Sequence, residues 1–383
     1  MPRLLPNDAR DLFPITRHCL YLNHAGNSPL SERGRAALEG LAEQLASRPY
    51  RTGHSQELAE EVRAALGRLL GAEPDTLALV RSTAHGLSLL ANGLDWRAGD
   101  NVVGARQEYP ANIYPWLSLR DRGIEFRQVE PEAGRLTPEA VLALVDERTR
   151  VVALSHVQFW NGYRLDLARI GTELDRRGVI FAVDLIQSAG ALQLDLDRLP
   201  VDFAAAGGYK WQLGPVGMGF CYCRPELVRK LRPVLVGTGS VTNPHEYFQP
   251  RYEPAPTARR FEESALSLLD LTGYLAGLQI LLEAGPAQVE ERILHLAARL
   301  RTGLDGLGYA LVEPWPRSAA ESAGIVSFRR PGSPASAVWR ELTAAGVVAR
   351  LHGDLVRLSP HFYNTEQEMD RVLEVLAPLE VGS

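Results

Sequence analysis

From about residue 77 to 225, short apolar runs alternate with amphipathic ones, and no other feature of the chain constrains its fold as strongly. Runs at 77–80, 102–105, 151–155, 180–184 and 203–206 read as buried strands. Helical patterns lie between them at 88–94, 138–145 and 167–177. Strand–helix alternation predicts an α/β domain built on a largely parallel sheet. The connections should be right-handed, and ligands should bind at the carboxyl ends of the strands.

Residues 232–260 change character. Pro233, Pro244, Pro250, Pro254 and Pro256 sit among glycines and aromatics, which predicts an extended connection. Long helical patterns follow at 266–283 and 287–304. The tail from Tyr309 mixes strands (324–329, 347–351, 355–359) with helices (336–345 and from Thr365), the pattern of a smaller α+β unit. A chain of 383 residues suggests about two domains. A net charge of −5, with basic residues scattered among acids, gives no reason to expect nucleic acid or an anionic membrane as partner. Cys19, Cys221 and Cys223 have no zinc spacing, so no metal site is expected, and Cys221 and Cys223 share one strand face as small core residues. With no signal peptide and no membrane-length apolar stretch, the cytoplasm is the expected location.

Lys210 and Lys230 are the only lysines; every other basic side chain apart from histidine is arginine. Arginine stays protonated and cannot serve as a neutral amine nucleophile. Lys230 lies in a charged, amphipathic stretch that reads as a solvated helix. Lys210 follows an apolar run in Phe203-Ala204-Ala205-Ala206-Gly207-Gly208-Tyr209-Lys210-Trp211, where desolvation can bring an amine towards neutrality. Asp184 ends another apolar run, Ile180-Phe181-Ala182-Val183, with Gln187 three residues on. An acid there is ordinarily a helix cap, and a functional role needs a buried cationic partner such as a pyridinium nitrogen. Ser82-Thr83-Ala84 begins a helix after the first strand; its N–H groups and hydroxyls suit a phosphate, although such residues are often only caps. Tyr109 follows the strand at 102–105. An amine, a carboxylate, a phosphate cradle and an aromatic, each at the carboxyl end of a different strand, are what pyridoxal 5'-phosphate requires.

At these residues the chain resembles the class V aminotransferase family of fold-type I pyridoxal phosphate enzymes. It is most similar to the branch of cysteine desulfurases, selenocysteine lyases, isopenicillin N epimerase-like proteins and kynureninases. The likeness runs from Tyr21-Leu22-Asn23-His24-Ala25-Gly26 to Phe362-Tyr363-Asn364-Thr365. Its strongest part is Val183-Asp184-Leu185-Ile186-Gln187-Ser188-Ala189-Gly190 followed by Gly207-Gly208-Tyr209-Lys210. The resemblance implies a large domain with a mostly parallel seven-stranded sheet and a small C-terminal α+β domain. Residues 1–20 would pack on the small domain, 21–265 would form the large cofactor-binding domain, and 266–383 the linking helix and small domain. It also implies roles. Lys210 forms the Schiff base and then moves the Cα proton. Asp184 pairs with the ring nitrogen, Gln187 contacts the ring hydroxyl, and Tyr109 stacks on the ring. Thr83, Ala84 and Tyr209 hold the phosphate, joined by Ser264 from the neighbouring subunit of a homodimer. Arg357 binds the substrate carboxylate, with Arg350 its nearest rival, and His24 and Asn161 serve the substrate site.

Several positions depart from the family pattern. Gly207 stands where a phosphate-binding serine is common, and Ser264-Ala265 where Gly-Thr is. Phe159 replaces an asparagine, for which Asn161 or Gln158 are the candidate substitutes. Arg350-Leu351-His352-Gly353-Asp354 carries no cysteine where desulfurases carry their thiol. The expected function is therefore Cα carbanion chemistry on an α-amino acid. A lyase that eliminates at Cβ, with carbon–sulfur cleavage as one form, is the first reading. Aminotransferase and epimerase are the alternatives, ahead of a non-catalytic binding protein. Trp160, Trp211 and His24 are candidates to line a pocket for a bulky substrate, though a Trp beside a buried strand is commonly core.

Overall fold

The computed structural model describes residues 4, 6–49, 55–312 and 317–377. Seven strands make the central sheet: β1 (Leu77–Val80), β2 (Asn101–Ala105), β3 (Glu125–Val129), β4 (Thr149–Ser155), β5 (Ile180–Asp184), β6 (Phe203–Gly207) and β7 (Gly219–Cys223). Their order is β1-β7-β6-β5-β4-β2-β3. All neighbours are parallel except β7, which is antiparallel to both β1 and β6. Two successive reversals restore the direction, so β1 points the same way as β6. The carboxyl ends of six strands therefore meet at one edge, and this places the site.

The five apolar runs are all strands. β3 was not expected, and its composition shows why: it is the edge strand, and only Val129 is buried. Arg127 on it pairs with Glu125 and Asp146 at the surface. A strand with one covered neighbour need not be apolar.

Successive side chains on a strand face opposite sides of the sheet. Leu77, Leu79, Val103, Phe181 and Val183 pack into one core, with Val62, Leu66 and Leu70 of α2 (Ser55–Leu70) and Leu271, Tyr274 and Leu278 of α5 (Leu268–Ala284). Ala78, Val80, Val102 and Ala182 face the other, against Leu87 and Leu90 of α3 (Thr83–Gly93). α5 is apolar on nearly every side because it lies between that core and α1 (Glu32–Ser47). α4 (Leu167–Arg176) sends Ile170 and Leu174 inward. Cys221 and Cys223 alternate on β7 and are both buried in the second core.

The C-terminal part has an antiparallel sheet of β8 (Ala310–Leu311), β9 (Val326–Arg329), β10 (Arg350–His352) and β11 (Leu355–Leu358), ordered β10-β11-β9-β8. α6 (Pro286–Gly306), α7 (Ala335–Ala344) and α8 (Glu366–Leu376) cover it through Leu296, Leu300, Val338, Leu342, Met369 and Val372. The chain start reaches the same region. Leu20–Tyr21 pairs in parallel with Val347–Val348, and Phe13 stacks on Tyr363 at 3.9 Å. No helix among the described residues is long and apolar enough to cross a membrane.

His24 and His361 lie fully buried where these parts join, their rings 4.8 Å apart. His24 donates from Nδ1 to the Ser359 carbonyl (3.2 Å) and accepts the Tyr363 hydroxyl at Nε2 (2.8 Å). His361 donates from Nε2 to the Trp211 carbonyl (3.0 Å) and accepts the Phe362 N–H at Nδ1 (2.9 Å). The His361 ring is therefore neutral, since a second proton would face an N–H donor, and burial keeps His24 neutral. Burial pushes His24 well below the usual 6.5, His361 to about 4 and the buried His156 to about 3. The unfolded chain takes up these protons first, so the histidines' contribution to stability is whole above pH 6.5 and falls with pH towards 4. His361 alone accounts for on the order of 3 kcal/mol of that loss. Buried Asp184 titrates with the opposite sign in this window, so the comparison is made on Asp184→Asn: its melting temperatures at pH 7.5 and 5 should differ accordingly, and equal values would contradict the assignment.

Candidate active site

Four of the strand ends converge on Lys210. β6 runs into Gly207-Gly208-Tyr209-Lys210, and the turn closes with Leu213 donating to the Lys210 carbonyl at 3.2 Å. Leu213 takes the left-handed φ of 61°, a strained choice for a branched residue that is held by its burial. The Lys210 side chain is 6% exposed, and Nζ stands 5.5 Å from the Tyr109 ring centre and 5.8 Å from that of Tyr209. Asp184, at the end of β5, is 2% exposed. Its Oδ1 accepts the Ile186 N–H at 2.8 Å, while the buried Oδ2 has no partner. Burial, the largest influence on each, raises the Asp184 carboxyl and lowers the Lys210 amine to about 8, with their mutual attraction working the other way.

At the end of β1, Ser82 caps α3 by accepting the His85 N–H at 3.1 Å. The N–H groups of Thr83 and Ala84 lie in the first turn of α3, where no helical acceptor exists. Thr83 Oγ1 accepts the Gly207 N–H at 3.0 Å, which ties the α3 start to the lysine turn and leaves the hydroxyl proton available. Gly207 has a local reason: a Cβ there would come within 2.8 Å of the Tyr209 ring. The space of a serine side chain is already taken by Tyr209.

Arg357 on β11 is buried and donates from Nη1 to the Phe159 carbonyl at 2.7 Å, leaving Nε without a partner. Burial and the neighbouring Arg350 push it down to about 10. Arg350 sits directly across the β10–β11 pair and is exposed, so of the two Arg357 is the enclosed guanidinium. The Phe159 ring packs edge-on between Tyr109 (5.2 Å) and His352 (5.1 Å). The segment 350–355 is a tight hairpin turning at Gly353, with His352 where a cysteine was sought.

Other expected residues lie differently. Both ring nitrogens of His24 are used inside the protein, by the Ser359 carbonyl and the Tyr363 hydroxyl. Trp211, 1% exposed, donates to Gln187 Oε1 at 2.8 Å and is core rather than pocket wall. Gln187 also donates to the Ala25 carbonyl at 3.0 Å and keeps one amide hydrogen. Asn161 is a loop staple, donating to the Gly134 carbonyl (3.0 Å) and accepting the Tyr163 N–H (2.9 Å). Gln158 donates to Glu108 at 2.9 Å. Ser264 is not among these groups in a single chain; it lines a pocket of ≈ 190 Å³ with Arg63, Thr238 and His245. Glu108, which the sequence did not single out, is fully buried beside Ser155. Only its position before Tyr109 after a strand could have flagged it.

These residues fit pyridoxal phosphate. An orphaned buried carboxylate oxygen suits a ring N–H, a buried amine suits the carbonyl carbon, and the open start of α3 suits the phosphate. The comparisons with known proteins agree. A family model described as aminotransferase class-V matches residues 20–372. A probable cysteine desulfurase of Methanothermobacter thermautotrophicus is 28% identical, over 96% of each chain. An isopenicillin N epimerase of Streptomyces clavuligerus is 30% identical, over 97% of this chain and 98% of its own. Among solved structures, the apo cysteine desulfurase of Thermococcus onnurineus NA1 superposes with a TM-score of 0.88 at 25% identity, covering 99% of both chains. The cystine C–S lyase C-DES, in complex with its product cysteine persulfide, gives 0.86 at 28% identity, covering 96% of this chain and 99% of its own.

Proposed function

The chain belongs to the class-V aminotransferase family of pyridoxal phosphate-dependent enzymes, and from that premise we propose that it is a lyase eliminating at Cβ of an α-amino acid, with carbon–sulfur cleavage as its chemistry. The observation that supports this reading is the β10–β11 hairpin: its residues Arg350-Leu351-His352-Gly353-Asp354 include no cysteine, and it carries the buried Arg357. Cys221 and Cys223 are buried in the core, and burial raises both thiols. This reading uses no persulfide carried on the protein. A relative named as a cystine C–S lyase favours the same reaction.

Pyridoxal phosphate, when bound, supplies an electrophilic carbonyl carbon and a protonated ring that draws electrons from the bonds at the substrate Cα. The chain's own groups do the rest. Lys210, lowered by burial, is a usable amine near neutral pH and holds the Cα proton at Nζ. Asp184 Oδ2 keeps the ring nitrogen protonated. The Thr83 and Ala84 N–H groups bind the phosphate, and the Arg357 guanidinium orients the substrate carboxylate. Tyr109 and Phe159 cover the reacting region with apolar surface, which excludes water from the amine.

The test is product analysis with cysteine, cystine and other amino acids. Elimination yields ammonia and a 2-oxo acid. Accumulated pyridoxamine phosphate would mean transamination instead, and loss of optical rotation alone would mean epimerisation, the activity named for the 30% identical relative.

The working unit in this proposal is a homodimer. Phe248 is 98% exposed, with Tyr247, Tyr252 and Val236 exposed on the same segment. Apolar surface of this kind calls for a covering partner, and a second copy would also bring Ser264 to the phosphate. Ser264→Val should then weaken cofactor binding several-fold, read by equilibrium dialysis of the apo protein. Unchanged affinity would remove Ser264 from the site.

A further inference from the structure

Glu108 is unusual among the buried charges of this chain. It follows β2, directly before Tyr109, and has no cationic partner among the described residues. Oε1 accepts the Ser155 N–H at 2.7 Å and the Gln158 amide at 2.9 Å, and Oε2 accepts the Ser155 hydroxyl. The buried Asn112 amide stands beside it. Ser155 ends β4 and is the register partner of Asp184, and the His156 N–H donates to the Asp184 carbonyl at 3.0 Å. Two carboxylates thus occupy the ends of one sheet edge, near enough that the charge of Glu108 acts on Asp184.

Anchoring the Tyr109 loop to β4 accounts for the contacts but not for the charge. A glutamine could accept from Ser155 without the cost of an unpaired buried carboxylate. The donors around Glu108 are all neutral; burial raises its carboxyl, and the hydrogen bonds from Ser155, Gln158 and Asn112 work the other way and hold the charge, which no cation offsets locally among the described residues. We infer that Glu108 is a positioning residue that supplies a second buried negative charge to the Asp184 end of the site, holding the proton on the ring nitrogen of bound pyridoxal phosphate. It acts through Asp184 and does not touch the substrate.

The inference rests on the Lys210–Asp184 reading and is tested on protein reconstituted with pyridoxal phosphate. The absorbance band of the lysine-bound cofactor is titrated with pH, and cofactor affinity is measured on the apo forms. Glu108→Gln should lower the titration midpoint by about half to one pH unit. Glu108→Asp, which keeps the charge, should stay near the wild-type midpoint. Ser155→Ala, which loosens the loop and keeps the charge, should weaken cofactor binding several-fold without moving the midpoint. If Glu108→Gln does not fold, Glu108→Ser supplies the neutral form, with water able to satisfy the freed donors. A neutral variant with the wild-type midpoint, or Glu108→Asp shifting as far as the neutral one, overturns the charge role. A wild-type protein without the band sinks the Lys210 reading, and this inference with it.

Discussion

Lys210→Ala should give a folded, colourless protein with activity lowered by at least about 10³-fold. The physical basis is that no second amine is available. Lys230 lies well outside the cluster, at a surface pocket with Asp202 and Arg224, and every other strong base is a guanidinium. Folding should survive because burial, which opposes the Lys210 charge, outweighs its attraction to Asp184. Replacing it removes that desolvation cost, so the apo melting temperature should hold or rise. Wild-type protein should show a visible absorbance that borohydride reduces, and Lys210→Ala should show none. Reducible absorbance surviving in the variant would mean the cofactor is linked elsewhere.

The second large effect is expected for Asp184→Asn. Asparagine keeps the Oδ1 acceptor for the Ile186 N–H and the shape of the side chain, and loses only the charge. kcat should fall by about 10²- to 10⁴-fold, because a neutral amide cannot hold a proton on the ring nitrogen against the solvent. The apo protein should behave in the opposite way. Burial raises the folded-state pKa of Asp184 above 3.8 towards about 7. Ionising Asp184 therefore costs the wild-type apo protein stability as pH rises from about 4 to 7, against the gain from the buried histidines, and Asp184→Asn escapes that cost. Melting curves of both apo forms should agree near pH 4 and separate at pH 7, the variant being the more stable. Equal curves at pH 7 with normal activity would remove Asp184 from the proposed role.

Much of the fold could be read along the chain, for an identifiable reason. A parallel sheet is covered on both faces, so β1, β2, β4, β5 and β6 are continuous apolar runs. β3 escapes this rule at the edge, with Glu125 exposed and Arg127 paired at the surface. Lys210 and Asp184 were visible because each charged residue ends an apolar run. His24 and Asn161 show the limit of motif matching. Both sit in segments that carry the family resemblance, yet their polar atoms are consumed by Ser359, Tyr363, Gly134 and Tyr163. Which way a polar side chain is used depends on partners the motif does not include, more than three hundred positions away for His24 and in a neighbouring loop for Asn161.

The sequence by itself determined that this chain builds a largely parallel α/β sheet with an amine, an acid and a phosphate-sized helix start at strand ends. Those follow from local pattern: periodicity, capping residues and the rarity of lysine. Tertiary structure alone decided that these ends meet, because the double reversal through β7 makes β1 point the same way as β6, with β7 between them. It also decided that Arg357 rather than Arg350 is enclosed, that the Tyr209 ring fills the space beside Gly207, and that Glu108 lies buried one strand from Asp184. Burial and electrostatic coupling are properties of packed neighbours, and a charge acquires its chemical character only when the rest of the chain has removed water from around it.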